Sequence, residues 1–176
     1  MAVGDSFDSA GDTYTLAEEW DGRTWSVVPS LDSASGSEDV LTAVSCVGSS
    51  QCTAVGQYSA LSGASAPLVE VWNGAAWSLV AGVTGKGQLV SIDCVGMSTC
   101  MAAGSYAESE TAGGWTQLSI VRPAGTYGPV LNGVSCTSAS YCIGVGFATG
   151  LSSDTTYTLS EIWDGSSWAS LHTPNP

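Results

Sequence analysis

The stretch LTAVSCVGSSQCTAVG (41–56) returns as LVSIDCVGMSTCMAAG (89–104) and as LNGVSCTSASYCIGVG (131–146), each time as LxxxxCxxxxxC with a closing glycine. After the first and third of these come LVEVWNGAAW (68–77) and LSEIWDGSSW (159–168), and LAEEWDGRTW (16–25) fits the same template. Ala2-Val3-Gly4 then falls where Ala54-Val55-Gly56 falls in the next copy. Gly4, Gly56, Gly104 and Gly146 are 52, 48 and 42 residues apart. Such a period suits four-stranded propeller blades and exceeds that of leucine-rich or ankyrin repeats. The chain of 176 residues therefore holds about four units, near 1–36, 37–84, 85–128 and 129–176, in one repeat domain.

Within a unit the apolar residues alternate or run in short Val, Ile, Leu and Trp stretches bounded by turn residues, and no helical period is sustained. The second copy reads as four strands: LTAVSC, CTAVGQYS, APLVEVWNG and AAWSLVA. Val, Ala and Gly dominate the first two, which suits a crowded centre where backbones approach closely. Trp20/Trp25, Trp72/Trp77 and Trp163/Trp168 bracket Asp21-Gly22, Asn73-Gly74 and Asp164-Gly165. These dipeptides supply the positive φ of tight hairpins, and the tryptophans meet across the strands at about 0.2–1 kcal/mol per pair. Their expected role is packing between neighbouring blades; the rival role is a sugar-stacking platform.

The third copy departs from the others. LSIVRPAGTY (118–127) is aligned with LVEVWNGAAW, which puts Arg122 and Tyr127 in the places of Trp72 and Trp77. Aligning Trp115 with Trp77 instead leaves few residues before it for a strand. A single thin meander cannot bury both faces, whereas several arranged radially shield one another. The expected fold is all-β: a propeller-like array of about four four-stranded antiparallel blades, the first incomplete. A sandwich and an open solenoid are the competitors.

Net charge is −13 and Arg23, Lys86 and Arg122 are the only Lys or Arg residues. Neutralising a phosphate backbone or an anionic membrane needs many more cations, so neither partner is expected. No stretch approaches the ~20 apolar residues of a membrane helix. The six cysteines fall into three equally spaced pairs, Cys46/Cys52, Cys94/Cys100 and Cys136/Cys142. With one His in the chain, a zinc site would have to draw cysteines from different repeats. Disulfides closing each hairpin are expected, and they call for an oxidising compartment, hence an extracellular, secreted or cell-surface protein. MAVGDSFDSA (1–10) has neither the basic start nor the apolar core of a secretory signal. Met1 stands in the place of Thr53, Met101 and Ile143, so the chain reads as a mature part of a longer array whose missing half-unit lies upstream.

At LxxVSC, CxAVG and ExWxGxxW the chain resembles the short blades found in tandem in secreted actinobacterial proteins. It is more distantly similar to sialidase-type (Asp-box) and photosystem-assembly-factor propellers, whose blades carry an AVG-like second strand and a DGGxTW-like turn. Asp21-Gly22-Arg23-Thr24-Trp25 approaches that turn and is one residue shorter. The resemblance covers nearly the whole chain and implies an architecture without an assigned activity.

Signals for chemistry are sparse. No GxSxG occurs, and His172 sits four residues from the end as a bystander. Gly85-Lys86-Gly87 lacks the surroundings of a phosphate loop and reads as a turn. Sialidase chemistry needs several arginines, and two are present. A glycosidase could pair carboxylates drawn from Glu18, Glu70 and Glu161. These three occupy one position of successive repeats and are expected to face solvent from their strands. Asp5, Asp8 and Asp12 form the densest acidic cluster; Ca²⁺ there is the sharper reading and a solvated loop the plainer one, since the spacing does not match an EF-hand. The resulting expectation is a non-catalytic extracellular structural or interaction module without a cofactor. It self-associates as a homo-oligomer or completes a larger propeller or surface assembly, with no nucleic-acid partner and no membrane insertion. The alternative is a carbohydrate-binding module with a glycan ligand, and a glycoside hydrolase stands further behind.

Overall fold

A computed structural model describes residues 1–33, 36–60, 63–152 and 155–174. Among the described residues every regular element is a β-strand. The first sheet has three strands, β1 (Ala2–Phe7), β2 (Thr13–Trp20) and β3 (Trp25–Val28). The second holds β4 (Gly36–Gly48), β5 (Gln51–Ala60), β6 (Ser65–Trp72) and β7 (Trp77–Leu79). The third holds β8 (Leu89–Gly96), β9 (Thr99–Gly104), β10 (Ala107–Thr111) and β11 (Gly114–Leu118). The fourth holds β12 (Thr126–Ser138), β13 (Tyr141–Gly150), β14 (Thr156–Trp163) and β15 (Trp168–Ser170). Each sheet is a meander of consecutive strands, and the first lacks the LxxxxC strand that opens the other three. The chain divides into two compact units, residues 1–89 and 90–176.

Two expectations are corrected. The first strand of the second copy begins at Gly36 rather than Leu41, and β12 is equally long. Register shifts at Ser37/Val40 and Leu41/Ala43, repeated at Tyr127/Val130 and Leu131/Gly133, break the two-residue alternation by which a strand is recognised. In the third copy, Glu110 pairs with Trp115 at the register where Trp72 pairs with Trp77. Trp115, not Tyr127, therefore takes the place of Trp77, and Glu110, not Arg122, takes that of Trp72. The strand fits because β9 turns into β10 through Ser105-Tyr106 alone, with the Gly104 N–H donating to the Tyr106 carbonyl at 2.8 Å. Arg122 lies between β11 and β12, and Tyr127 lies in β12.

In the first unit β4 runs along β1 and β2. Leu41, Ala54, Trp72 and Trp77 of the second sheet are buried against Ala17 and the partly buried Met1, Val3 and Val28 of the first. In the second unit β12 runs along β9, and Trp163 and Trp168 are buried with Met101 and Ala107, backed by Leu118, Ile120 and Val121. The same rule holds twice: the tryptophan-bearing face of a sheet is covered by the preceding sheet of its unit. A buried tryptophan hides 150–250 Å². At about 25 cal/mol/Å² each ring contributes roughly 4–6 kcal/mol before the entropic cost of ordering it.

A glycine in the middle of β5 and of β13 makes a second packing point. A Cβ on Gly56 would lie 1.9 Å from the Val40 carbonyl oxygen, and one on Gly146 would lie 1.9 Å from that of Val130. Gly4, whose sheet has no LxxxxC strand, would meet nothing within 4 Å.

Candidate functional site

The disulfides Cys46–Cys52, Cys94–Cys100 and Cys136–Cys142 are formed, and no free cysteine remains. In the second and fourth sheets each joins residues directly opposite one another, β4 to β5 and β12 to β13. The clasped hairpin tips support the tryptophan turns. A Cβ on Gly74 would lie 2.8 Å from that of Ser50, Gly165 stands in the same relation to Ser140, and the Trp163 indole N–H donates to the Ala139 carbonyl at 3.1 Å. The turns themselves are closed by their first residue. Asp21 Oδ1 accepts the N–H groups of Arg23 and Thr24, Asn73 Oδ1 those of Ala75 and Ala76, and Asp164 Oδ1 those of Ser166 and Ser167. Gly22, Gly74 and Gly165 take φ of 96°, 93° and 95°, where any other residue is strained.

Cross-strand registers place Glu18 opposite Ala2, Glu70 opposite Ala54, Glu108 opposite Ala102 and Glu161 opposite Gly144, so the four are equivalent. The expected solvent-facing position of these glutamates is overturned. Glu70, Glu108 and Glu161 are fully buried, and only Glu18 is half-exposed. The physical reason is a backbone partner far away in sequence. Glu70 Oε2 accepts the Leu31 N–H at 3.1 Å, and Glu161 accepts the Val121 N–H at 2.9 and 3.1 Å. Each donor lies in the segment leaving the preceding sheet. The carboxylate thus clamps consecutive sheets of a unit and satisfies a backbone group that burial would otherwise orphan. Glu108 was missed because the short β9–β10 turn hides its alignment; six residues separate it from Ala102, against 16 between Ala54 and Glu70. Neither Glu108 oxygen has a hydrogen-bond partner among the described residues.

Burial pushes the Glu70 and Glu108 carboxyls up to about 7, with the Leu31 N–H opposing at Glu70 and the charges of Asp32 and Asp39 adding to its rise. The Glu161 and Glu110 carboxyls are raised for the same reason. An unfolded glutamate titrates near 4.5. Between that value and about 7 the folded chain retains protons that the unfolded chain has released. The contribution of these glutamates to stability is therefore fullest below about pH 4.5, declines as pH climbs through 7, and levels off above. Glu108→Gln removes one such group and keeps its shape. Thermal melts are expected to show the variant about 7–14 °C more stable than the parent at pH 8 and indistinguishable from it at pH 4.5, given the rise from 4.5 to about 7, ~1.4 kcal/mol per pKa unit and ~2–4 °C per kcal/mol. Equal melting temperatures at pH 8 would contradict the burial of a charge there.

The tryptophan pairs are tilted, with ring centroids 5.5, 5.6 and 5.8 Å apart for Trp20/Trp25, Trp72/Trp77 and Trp163/Trp168. Four of the rings are buried, whereas Trp20 and Trp25 are 46% and 52% exposed. The acidic loop holds itself together: Asp8 Oδ1 accepts the N–H groups of Ala10 and Asp12 at 2.8 and 3.0 Å, and these bonds hold the Asp8 carboxyl below its ordinary range. Asp5 stands on β1 opposite Thr15, and Asp12 follows the turn. Among the described residues no three His, Cys, Asp or Glu side chains are grouped as metal ligands. His172 is exposed.

Each unit carries a cleft in an equivalent place. One of about 430 Å³ is bounded by Pro123, Thr126, Tyr157, Leu159 and Leu171; one of about 330 Å³ is bounded by Ser33, Tyr58, Leu68, Leu79 and Val80. Tyr58 faces Ala66 across β5 and β6, and Tyr157 faces Ala148 across β13 and β14, so the same cross-strand pair supplies one tyrosine to each. Among the described residues no charged side chain lines either. A search of protein families, curated proteins and solved structures finds no match to the chain.

Proposed function

We propose that the protein is an extracellular, non-catalytic interaction module whose sheets are propeller blades, and that it self-associates or completes a larger propeller or surface assembly. The observation that carries this reading is the uncovered Trp20/Trp25 pair. Its counterparts Trp72/Trp77 and Trp163/Trp168 are buried by a preceding sheet, so the first sheet presents a prepared apolar face. The three disulfides support an oxidising, extracellular setting, and no described helix is long and apolar enough to cross a membrane. Absence of catalysis is favoured by the burial of Glu70 and Glu161 against backbone N–H groups, where they serve structure instead of facing a cleft.

Light scattering from 1 µM to 1 mM, at concentrations chosen as on the order of those typical of interface affinities, tests the proposal: mass is expected to rise above that of one 17.8 kDa chain, and a strict monomer throughout would defeat it. The second reading, a carbohydrate-binding module, draws on the two tyrosine-bearing clefts. Their size suits a small ligand, and their uncharged lining calls for a neutral saccharide.

A further inference from the structure

We infer that copies of this chain join head to tail: the Trp20/Trp25 face of the first sheet in one copy seats on the Ile143, Val145 and Leu171 face of the fourth sheet in another. This rests on the self-association proposed above and names its surfaces. The argument comes from the two sheet-to-sheet contacts inside the units. In each, a tryptophan pair is covered by one fixed set of positions on the sheet before it: Met1, Val3, Ala17 and Val28 in the first unit, and Met101, Ala107 and Leu118 in the second.

Register identifies the same positions on the fourth sheet. Val3 faces Ala17 and Val145 faces Ser160, each one residue before the equivalent glutamate; Ile143 precedes Val145 as Met1 precedes Val3. Leu171 follows the last strand as Val80 follows β7, each N–H donating to the carbonyl before that glutamate, Ser160 or Val69. Val145 and Leu171 are 50% and 40% exposed, and Ile143 is half-buried. One sheet thus bares the face that receives a neighbour, and another bares the face that covers one. Because the faces differ, the contact is heterologous and propagates from copy to copy until it closes or runs on as a filament.

A residue that follows the fourth sheet limits the strength of this joint. Leu31 and Val121, the donors to Glu70 and Glu161, stand three residues beyond Val28 and Leu118. Three residues beyond Leu171 stands Pro174, which has no N–H. The Thr173 hydroxyl donates to the Thr158 carbonyl as Ser30 meets Thr15, so the register has not slipped. Glu18, the counterpart of Glu70 on the receiving face, therefore gains no clamp from another copy. The joint is made by apolar contact alone and is reversible.

Sedimentation velocity on the whole chain tests this. Trp20→Ser/Trp25→Ser blocks the receiving face and Val145→Glu/Leu171→Glu the covering face. All four residues are well exposed, and melting temperature and disulfide content check folding. Each variant alone is expected to be monomeric, and an equimolar mixture is expected to form a two-chain complex and nothing larger, since each supplies the face the other lacks. Pro174→Val, which restores the donor for Glu18, is expected to tighten wild-type association about five- to tenfold, the effect of one added hydrogen bond. A wild-type chain that never associates overturns the proposed function and this inference together. Association that persists in either double variant, a mixture that stays monomeric, or no change with Pro174→Val overturns the head-to-tail joint and leaves self-association standing.

Discussion

Gly56→Ala and Gly146→Ala each lower the melting temperature by about 10 °C or prevent folding, whereas Gly4→Ala leaves it within about 2 °C. The three glycines share one place in the repeat, so the contrast isolates tertiary packing from strand propensity. At Gly56 the added carbon would sit 1.9 Å from the Val40 carbonyl oxygen and 2.9 Å from the Leu41 Cα; at Gly146 the Val130 oxygen and Leu131 Cα stand in the same way. These are backbone atoms, which cannot rotate aside as a side chain can. Relief requires parting β4 from β5 or β12 from β13 at the bulge where their register shifts. Overpacking ordinarily costs about 1–3 kcal/mol, and a clash that only backbone movement relieves belongs at or above the top of that range. Around Gly4 nothing lies within 4 Å, and alanine there also narrows the unfolded ensemble slightly. Thermal denaturation of the three variants measures the difference; similar losses at all three would show that the close approach does not exist.

Reduction of the disulfides carries the other large effect. Each bond spans a sequence separation of 6, a short loop for which chain entropy assigns about 2 kcal/mol. The three bonds lie in separate hairpins, so their effects add to roughly 6 kcal/mol. A domain's whole stability is about 5–15 kcal/mol. In a strong reductant the melting temperature is accordingly expected to fall by about 12 °C or more, with a much larger fraction unfolded at 37 °C. Replacing a single pair by serine, Cys46→Ser with Cys52→Ser, is expected to cost about a third of that. Calorimetry with and without reductant measures both, and an unchanged melting point would remove the energetic case for an oxidising compartment.

Much of the architecture was readable in the chain because its determinants are local. Strand pairs, the Asp-Gly and Asn-Gly turns and the clasped hairpins each involve residues at most 24 positions apart, and the repeat displayed each of them more than once. Cys46 and Cys52 face one another across a single turn, so spacing alone named the pair. The third sheet was misaligned for an equally local reason: the contracted Ser105-Tyr106 turn brought Glu108 and Trp115 forward, and Glu110 in the place of a tryptophan erased the motif that would have marked them.

The glutamates show where such reading stops. A carboxylate in an alternating strand looks solvent-facing, because nothing nearby indicates that a second layer covers it. The groups that make burial tolerable, the Leu31 N–H for Glu70 and the Val121 N–H for Glu161, lie 39 and 40 residues away.

The sequence by itself determined the number of sheets, their meander order and the sealed hairpins. All of these follow from bond geometry and short-range pairing. Only the tertiary structure decided which faces are shielded: WDGRTW, WNGAAW and WDGSSW carry the same pair of tryptophans, yet Trp20 and Trp25 stand open while the other four rings are buried. Side-chain hydrophobicity is a property of the residue, but burial depends on whether a neighbouring sheet lies against it, and that neighbour is set by contacts made across the fold.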